Sequence, residues 1–363
     1  MFTATQAIVA REPEQPFKPN WSLEDVNVGE FGDDEVLVEV VATGICHTDL
    51  VLSSIPTGAL GIAYPKIVGH EAAHPAYCDK FAVGNYVGRQ ASIKTTSDDQ
   101  TTWSQYFGQS SFAKLTVANE SSIVNAKDLI EDLDELKLFA PLGCGFQTGM
   151  GAVQNITSAG PEDVVLISGL GAVGMGAVMT AHIENCKAII AVDRVKPRLE
   201  LAKPLGATHT IDTSDPEFTT LDEAIRRLFP SGASVVIDTT GVPSIIEQSV
   251  QATTARGKFV VIGVPPLGYE LKVNVAQHIN VGDPSHFQNY RLTDIRMKSG
   301  RSILGCIEGD CVPGKAIPQM IKWYRDGKFP IDKLIDFFDA TDFGQALGKL
   351  HTGETIKPVL MWK

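Results

Sequence analysis

Three short segments of the chain hold side chains suited to a metal ion. Gly44-Ile-Cys46-His47-Thr48-Asp49 follows the apolar run Glu35–Ala42, Gly69-His70-Glu71 follows a shorter one, and Leu142-Gly-Cys144-Gly stands further on. Cys46, His70 and Cys144 form a two-cysteine, one-histidine set, which matches the catalytic zinc pattern of three protein ligands and one open position. Two thiolates leave such a centre with little charge, so an alcohol oxygen can bind there and lose its proton. Zinc brings water from a pKa of about 15.7 to about 7, and it acts on a bound hydroxyl in the same sense. Hydride departs readily only from an alkoxide, so a metal of this kind needs a hydride acceptor nearby. The bland alternative is two buried cysteines and a core histidine.

A hydride acceptor has its own signature further along. Gly169-Leu-Gly171-Ala-Val-Gly174 follows the apolar run VVLIS (164–168) and opens a stretch of small residues. In a dinucleotide site the first glycine permits the turn, the second lets a pyrophosphate approach the backbone, and the third packs helix against strand. Asp193 ends the next apolar run, AIIAVD, where an acid can bind ribose hydroxyls. An acid there repels a 2′-phosphate and favours NAD over NADP, while Arg194 beside it pulls the other way. A second metal motif competes for His70: His70-Glu-Ala-Ala-His74 matches the HExxH pattern of metalloproteases. Gly69 before it, Pro75 after it and the lack of helical periodicity argue against that helix, and a peptidase would leave the glycine motif without a role.

These residues need elements to hold them. The first 145 or so residues read as short half-buried strands such as Glu35–Ala42, broken by Gly and Pro clusters. From Pro161 the rhythm becomes strand and helix in turn: VVLIS, AIIAVD, a helix over Lys196–Leu205 ended by Gly206, THTID (208–212), a helix near Leu221–Leu228, SVVIDTTG (234–241), a helix near Ser244–Ala252 and KFVVIGVPP (258–266). Buried apolar strands alternating with helices predict a doubly wound parallel sheet. After about Ile307 come an amphipathic helix at Ala316–Asp326 and a last strand at Pro358–Met361.

With 363 residues, the chain has room for two domains. A net charge of −12 disfavours nucleic acid and anionic membrane surfaces as partners. Six cysteines scattered over this length do not make a disulfide framework, and they read as reduced thiols or metal ligands. Val164–Ile183 carries no charge and is long enough to span a bilayer, but its four glycines make it a strand, a turn and a buried helix. With no basic leader at the start, the expectation is a cytoplasmic protein.

GICHTD, GHE, the Cys144 segment with Thr148, and GLGAVG with Asp193 together resemble the zinc-dependent medium-chain alcohol dehydrogenases over nearly the whole chain. Tyr106–Ala113 and Val264-Pro-Pro266 are similar to the aryl-alcohol branch of that family. The resemblance implies a GroES-like β-rich catalytic domain (1–146 and 307–363) and a Rossmann NAD-binding domain (147–306), with the active site in the cleft between them. It implies Cys46, His70 and Cys144 as ligands of one catalytic zinc. Thr48 then takes the substrate proton and passes it toward the ribose, Asp49 orients His70, and Glu71 stands beside the metal as a transient ligand. His47 and Lys357 are implied as contacts of the cofactor pyrophosphate, although a plain surface histidine fits His47 equally well. Thr148 and the backbone at Val264 are implied to face the nicotinamide. Relatives of this kind are homodimers or homotetramers that act on small alcohols and aldehydes.

The sequence departs from the pattern in four places. Val51 stands where many relatives carry the histidine that ends the proton relay, so proton exit falls to water or the ribose. No cysteine lies between Cys78 and Cys144, so no structural zinc is expected. His74 replaces a usual glycine, and the stretch to Gly84 reads as a trimmed hairpin. Val281–Lys298 reads as an insertion, either a surface loop or a translated intron. The sequence therefore predicts a zinc enzyme that interconverts a primary, aromatic or allylic alcohol and its aldehyde with NAD(H). Two other readings stay open: a catalytically impaired NAD(H)-binding sensor or scaffold, and a zinc-free quinone or enone reductase.

Overall fold

The continuous apolar run Ala7–Ala10 near the start of the chain is buried in the first of two long antiparallel strands, β1 (Thr3–Gln15) and β2 (Lys18–Val28), with Ile8 opposite Leu23. The structure, a computed structural model, describes residues 3–15, 18–70, 88–266, 268–272 and 300–362, apart from the side chains of 89–92. Glu71, His74 and the 281–298 segment lie outside the described residues. The chain divides into two compact units: Met1–Gln147 with Cys311–Lys363, and Thr148–Asp310.

In the first unit, β3 (Glu35–Glu39), β4 (Ala42–Gly44) and α1 (His47–Leu52) follow β2, and then come β5 (Lys66–Ile67), β6 (Arg89–Thr95), β7 (Thr101–Ser104) and β8 (Leu115–Asn119). Strands β1, β2, β6, β7 and β5 close into a barrel around Ile8, Val26, Ile67, Ile93 and Phe112. Closure pairs every strand edge within the barrel. The run read from sequence as one strand, Glu35–Ala42, is two strands in different sheets. β3 pairs with β8, the Val40 amide bonds to the Lys114 carbonyl at 2.9 Å, and the chain then crosses to a second sheet as β4. Downstream, the Asp132 side chain caps α2 (Leu133–Phe139) by accepting from the Glu135 amide. Next is α3 (Gly145–Gly151), which carries Thr148.

The second unit alternates β9 (Val164–Ser168), α4 (Ala172–Ile183), β10 (Ala188–Asp193), α5 (Lys196–Ala202), β11 (His209–Asp212), α6 (Leu221–Leu228), β12 (Ala233–Asp238), α7 (Pro243–Ala252), β13 (Thr253–Val261) and β14 (Ser302–Gly305). Its sheet has the order β11-β10-β9-β12-β13-β14, and each neighbouring pair is parallel. This is the doubly wound order in which the chain reverses direction beside the first strand, and with the barrel unit it gives the expected α/β class. Every residue of β9 and β10 is buried. That explains their unbroken apolar sequence, since each such Val, Leu or Ile contributes about 1.5–3 kcal/mol by leaving water. Several boundaries differ from the sequence reading by one to five residues, two of them for a visible reason. α5 stops at Ala202, with Leu205 and Gly206 in turns. β13 ends at Val261, because the amides of Ile262 and Gly263 both turn back to the Asp238 carbonyl (2.9 and 3.0 Å). Val164–Ile183 forms a strand, a turn and a 12-residue helix, and no helix among the described residues is long and apolar enough to cross a membrane.

The chain returns to the first unit with α8 (Pro313–Arg325), β15 (Ile335–Asp339), α9 (Phe343–Thr352) and β16 (Lys357–Met361). β16 runs parallel to β15 and antiparallel to β4, pairing Val359 with Gly44. The Ile45 amide then donates to the Pro358 carbonyl at 2.9 Å. The residue before Cys46 is thus fixed by a strand more than 300 positions later.

Candidate metal centre and cofactor cradle

Cys46 follows β4 and precedes α1, His70 follows β5, and Cys144 sits between a short 3₁₀ turn and α3. Although distant in sequence, their donor atoms all lie within 4.8 Å of one another. Cys144 Sγ is 3.6 Å from Cys46 Sγ and 3.4 Å from His70 Nε2. A tetrahedral ion with metal–sulfur bonds of about 2.3 Å and a metal–nitrogen bond of about 2.0–2.1 Å holds its ligands roughly 3.8 Å (S to S) and 3.6 Å (S to N) apart. The donors therefore have both the chemistry and the spacing of a zinc site. Among the described residues this is the one group of three or more His, Cys, Asp or Glu side chains close enough to hold an ion.

Asp49 ties two of the three segments together. Fully buried, its Oδ1 lies 2.7 Å from His70 Nδ1 and accepts from the Gly69 amide at 3.1 Å, while its Oδ2 accepts from the Cys46 amide at 3.0 Å. One carboxylate thereby ties both ligand-bearing segments of the barrel half and leaves Nε2 of His70 free to face the thiols. The Cys46 thiol is held well below the ordinary thiol range by its hydrogen bond from Cys144, with His70 and Lys357 adding to the effect against burial. Burial pushes His70 down, but the charges of Asp49 and Cys46 outweigh it and hold the imidazole well above its usual value. The cluster is thus biased toward thiolate, the form that ligates metal.

Three neighbours of the centre were not singled out as functional from the sequence. Phe107 stacks on the His70 ring, with centroids 4.3 Å apart and planes at 23°. Tyr106 meets the same ring edge-on at 5.4 Å, and its hydroxyl donates to the Thr48 carbonyl at 3.4 Å. Fully buried Lys66 places Nζ 4.6 Å from the centre of the Tyr106 ring, and burial pushes its pKa down to about 7 against the pull of Asp49. Phe107 sits at φ +52°, which only the surrounding packing can hold in place for a non-glycine residue.

The other residues suggested by the sequence spread around these features. Thr48 is half-buried in the first turn of α1, beside exposed His47, and Val51 lies further along the same helix. Buried Lys357 donates from Nζ to the Ile45 carbonyl at 3.3 Å, next to Cys46 in sequence. In the second unit, Gly169 has φ +88°, and a Cβ on Gly174 would stand 1.8 Å from the Gly169 carbonyl oxygen. A Cβ on Gly171, the residue capping α4, would meet nothing within 4 Å. The two outer glycines are thus fixed by the fold, and the middle one keeps a space open. Asp193 accepts from the amides of Leu170 (2.7 Å), Arg194 (2.7 Å) and Val195 (2.9 Å), so it anchors the glycine turn to β10. A carboxylate has about four acceptor positions, which leaves room for a further donor. Thr148 is buried, and Val264 is exposed beyond β13.

Comparison with known proteins bears on the family and the fold. Residues 172–325 match the family described as zinc-binding dehydrogenase, and residues 32–128 match the alcohol dehydrogenase GroES-like domain. The chain is 29% identical to a geraniol dehydrogenase of Castellaniella defragrans, over 99% of this chain and 98% of that protein. Among solved structures, it is similar to an alcohol dehydrogenase zinc-binding domain protein from Burkholderia ambifaria (TM-score 0.85, 31% identity, 99% of each chain). It is also similar to benzyl alcohol dehydrogenase from Acinetobacter calcoaceticus (TM-score 0.82, 29% identity, 99% of each chain).

Proposed function

Because the chain belongs to the zinc-dependent medium-chain alcohol dehydrogenase family, we propose that it interconverts a primary alcohol and its aldehyde, with one zinc ion at Cys46, His70 and Cys144 and NAD as hydride partner. The observation that carries this reading is the spacing of the three donors, 3.6 and 3.4 Å around Cys144 Sγ, in a cluster already biased toward thiolate. When bound, zinc acidifies a hydroxyl and NAD takes up hydride. The chain's own part is positional and protic. Asp49 holds the His70 tautomer with Nε2 toward the thiols. Thr48 Oγ1, two residues after Cys46, receives the substrate proton, and with Val51 in place of an imidazole that proton leaves through water or the ribose. Glu71 and His47 keep the auxiliary roles that the family resemblance implies, as do Thr148, Val264 and Lys357 at the cofactor. Asp193 supports NAD over NADP, since a carboxylate at the end of β10 would favour ribose hydroxyls and disfavour a 2′-phosphate.

The relatives support a substrate class. Geraniol and benzyl alcohol both carry a primary hydroxyl one carbon from a double bond or ring, and the Tyr106–Ala113 segment resembles the aryl-alcohol branch. The test is to measure zinc per chain and NADH formation with geraniol and benzyl alcohol. One zinc and turnover of both are expected, with turnover lost on chelation. A protein purified without metal, or one that binds NADH and turns over neither alcohol, would sink the proposal.

A further inference from the structure

The run SVVIDTTG (234–241) ends in a turn that no step of the reaction uses. β12 delivers Asp238 opposite Ser168, the last residue of β9, where the first and fourth strands of the second unit lie side by side. This is the switch point beyond whose strand ends doubly wound sheets bind their ligands. Asp238 is fully buried. Its Oδ1 accepts from the Thr240 amide at 3.2 Å and the Thr240 hydroxyl at 2.7 Å, and its Oδ2 accepts from the Gly241 amide at 3.1 Å. Its main-chain carbonyl takes the amides of Ile262 and Gly263.

The turn divides its contacts. On one side, the Thr239 amide and hydroxyl each donate to the Ser168 carbonyl at 2.9 Å, and the hydroxyl also reaches the Gly169 carbonyl at 3.0 Å. These bonds hold the glycine turn without the Asp238 carboxylate. On the other side, Gly241 at φ +65° lies against Gly263 and Val264. A Cβ on Gly241 would stand 2.4 Å from the Val264 carbonyl oxygen, and one on Gly263 would stand 2.0 Å from the Gly241 nitrogen. The two loops therefore touch backbone to backbone, and the shape of Thr240–Gly241 sets where the Val264 backbone rests. That shape needs an acceptor on both arms of residue 238, which a carboxylate supplies and an amide does not. Burial pushes the Asp238 carboxyl up while its three donors pull it down, so the acid stands here against the loss of its hydration.

We propose that Asp238 is a positioning residue for the nicotinamide half of the cofactor: its carboxylate shapes Thr240–Gly241, and that turn seats the Val264 backbone facing the nicotinamide. This rests on the reading of Val264 as a nicotinamide contact. The half of the cofactor that lies at Asp193 and the glycine turn does not depend on the Asp238 carboxylate.

ADP-ribose, the cofactor without its nicotinamide, separates the two halves. Titration of the purified wild-type protein, by fluorescence for NADH and by calorimetry for ADP-ribose, should show NADH binding tighter. Asp238→Asn turns an N–H toward one of the three donors and should weaken NADH about tenfold, the factor expected from one hydrogen bond to a charged group. ADP-ribose affinity should stay within about twofold, as for groups that share no partner. Thr240→Val keeps the branched shape but removes the hydroxyl that joins Asp238 to the Val242 amide. It should weaken NADH about threefold and leave ADP-ribose unchanged, and its half-buried position keeps the test open if Asp238→Asn does not fold. Unchanged NADH affinity in a folded variant, or NADH and ADP-ribose weakened alike, would overturn the proposal. A wild-type protein that binds ADP-ribose as tightly as NADH would overturn the reading of Val264 and the proposal with it.

Discussion

The two chemically equipped regions of this chain are built in opposite ways. The cofactor cradle is contiguous: β9, the glycine turn, α4 and β10 lie within 30 residues, and Asp193 closes the loop onto the Leu170 amide. The candidate metal centre is assembled from three segments spread over about 100 residues; one carboxylate joins the Cys46 and His70 segments, and β16 pairs with the strand leading into Cys46. A local motif withstands changes elsewhere, whereas a convergent one depends on the whole unit that brings it together. Substitutions that disable one region should therefore leave the other working.

The largest effect should come from the donors themselves. Cys144→Ala should empty the metal site and lower turnover at least about a thousandfold, the several kcal/mol a Lewis acid supplies. NADH binding, followed by fluorescence titration, should persist, because the cradle lies in the other unit. Loss of NADH binding together with zinc would mean that the two regions are not independent.

Next is Gly174→Ala, whose methyl would collide with the Gly169 carbonyl oxygen and should cost about 1–3 kcal/mol while abolishing NADH binding. Zinc content by elemental analysis should stay at one per chain. Gly171→Ala is its sharpener: with ordinary φ of −78° and open space around the new methyl, it should leave unfolding unchanged and weaken only NADH.

Asp49→Asn should act more mildly, lowering zinc affinity or turnover about 10- to 100-fold, as loss of a group that orients a metal-binding histidine does. Competition with a chelating dye would read it. An unchanged zinc affinity would show that the barrel alone positions His70.

The smallest effect on function should come from Lys66→Met, which acts on stability. With its pKa pushed down to about 7 when folded, Lys66 binds fewer protons in the folded than in the unfolded state between about pH 7 and the ordinary lysine value near 10.4. In that window it makes stability rise with pH by up to about 1.4 kcal/mol per unit, and below pH 7 the full penalty is present. Lys66→Met should flatten that slope and raise the urea midpoint most at pH 6–7. An unchanged slope would mean that Lys66 keeps its charge when buried.

The same contrast decided what could be read from sequence. The cradle was legible residue by residue, since glycine spacing, apolar strands and a terminal acid are local signals with a fixed geometry. The Cys46, His70 and Cys144 cluster was legible by residue type and family spacing, though nothing local shows that the three meet. The surroundings of the centre were not legible. Lys66 lies in Tyr-Pro-Lys-Ile-Val-Gly, where its polarity suggests a solvent-facing strand position. It is buried because β5 bridges β1 and β7, opposite Ala10 and Trp103. Phe107 lies in the Tyr106–Ala113 segment that resembles the aryl-alcohol branch, but nothing in that segment shows that a turn at positive φ brings it onto His70. The split of Glu35–Ala42 into two strands has the same origin, because a partner's position and not the alternation of side chains sets where one sheet ends.

The pairing of β4 with β16 also sets a schedule. The ribosome has delivered Cys46, His70 and Cys144 long before it reaches Val359, yet the segment leading into Cys46 has no strand beside it until then. A nascent chain stalled after Met320 would thus carry all three donors and Asp49, but not the strand that pairs with the segment leading into Cys46.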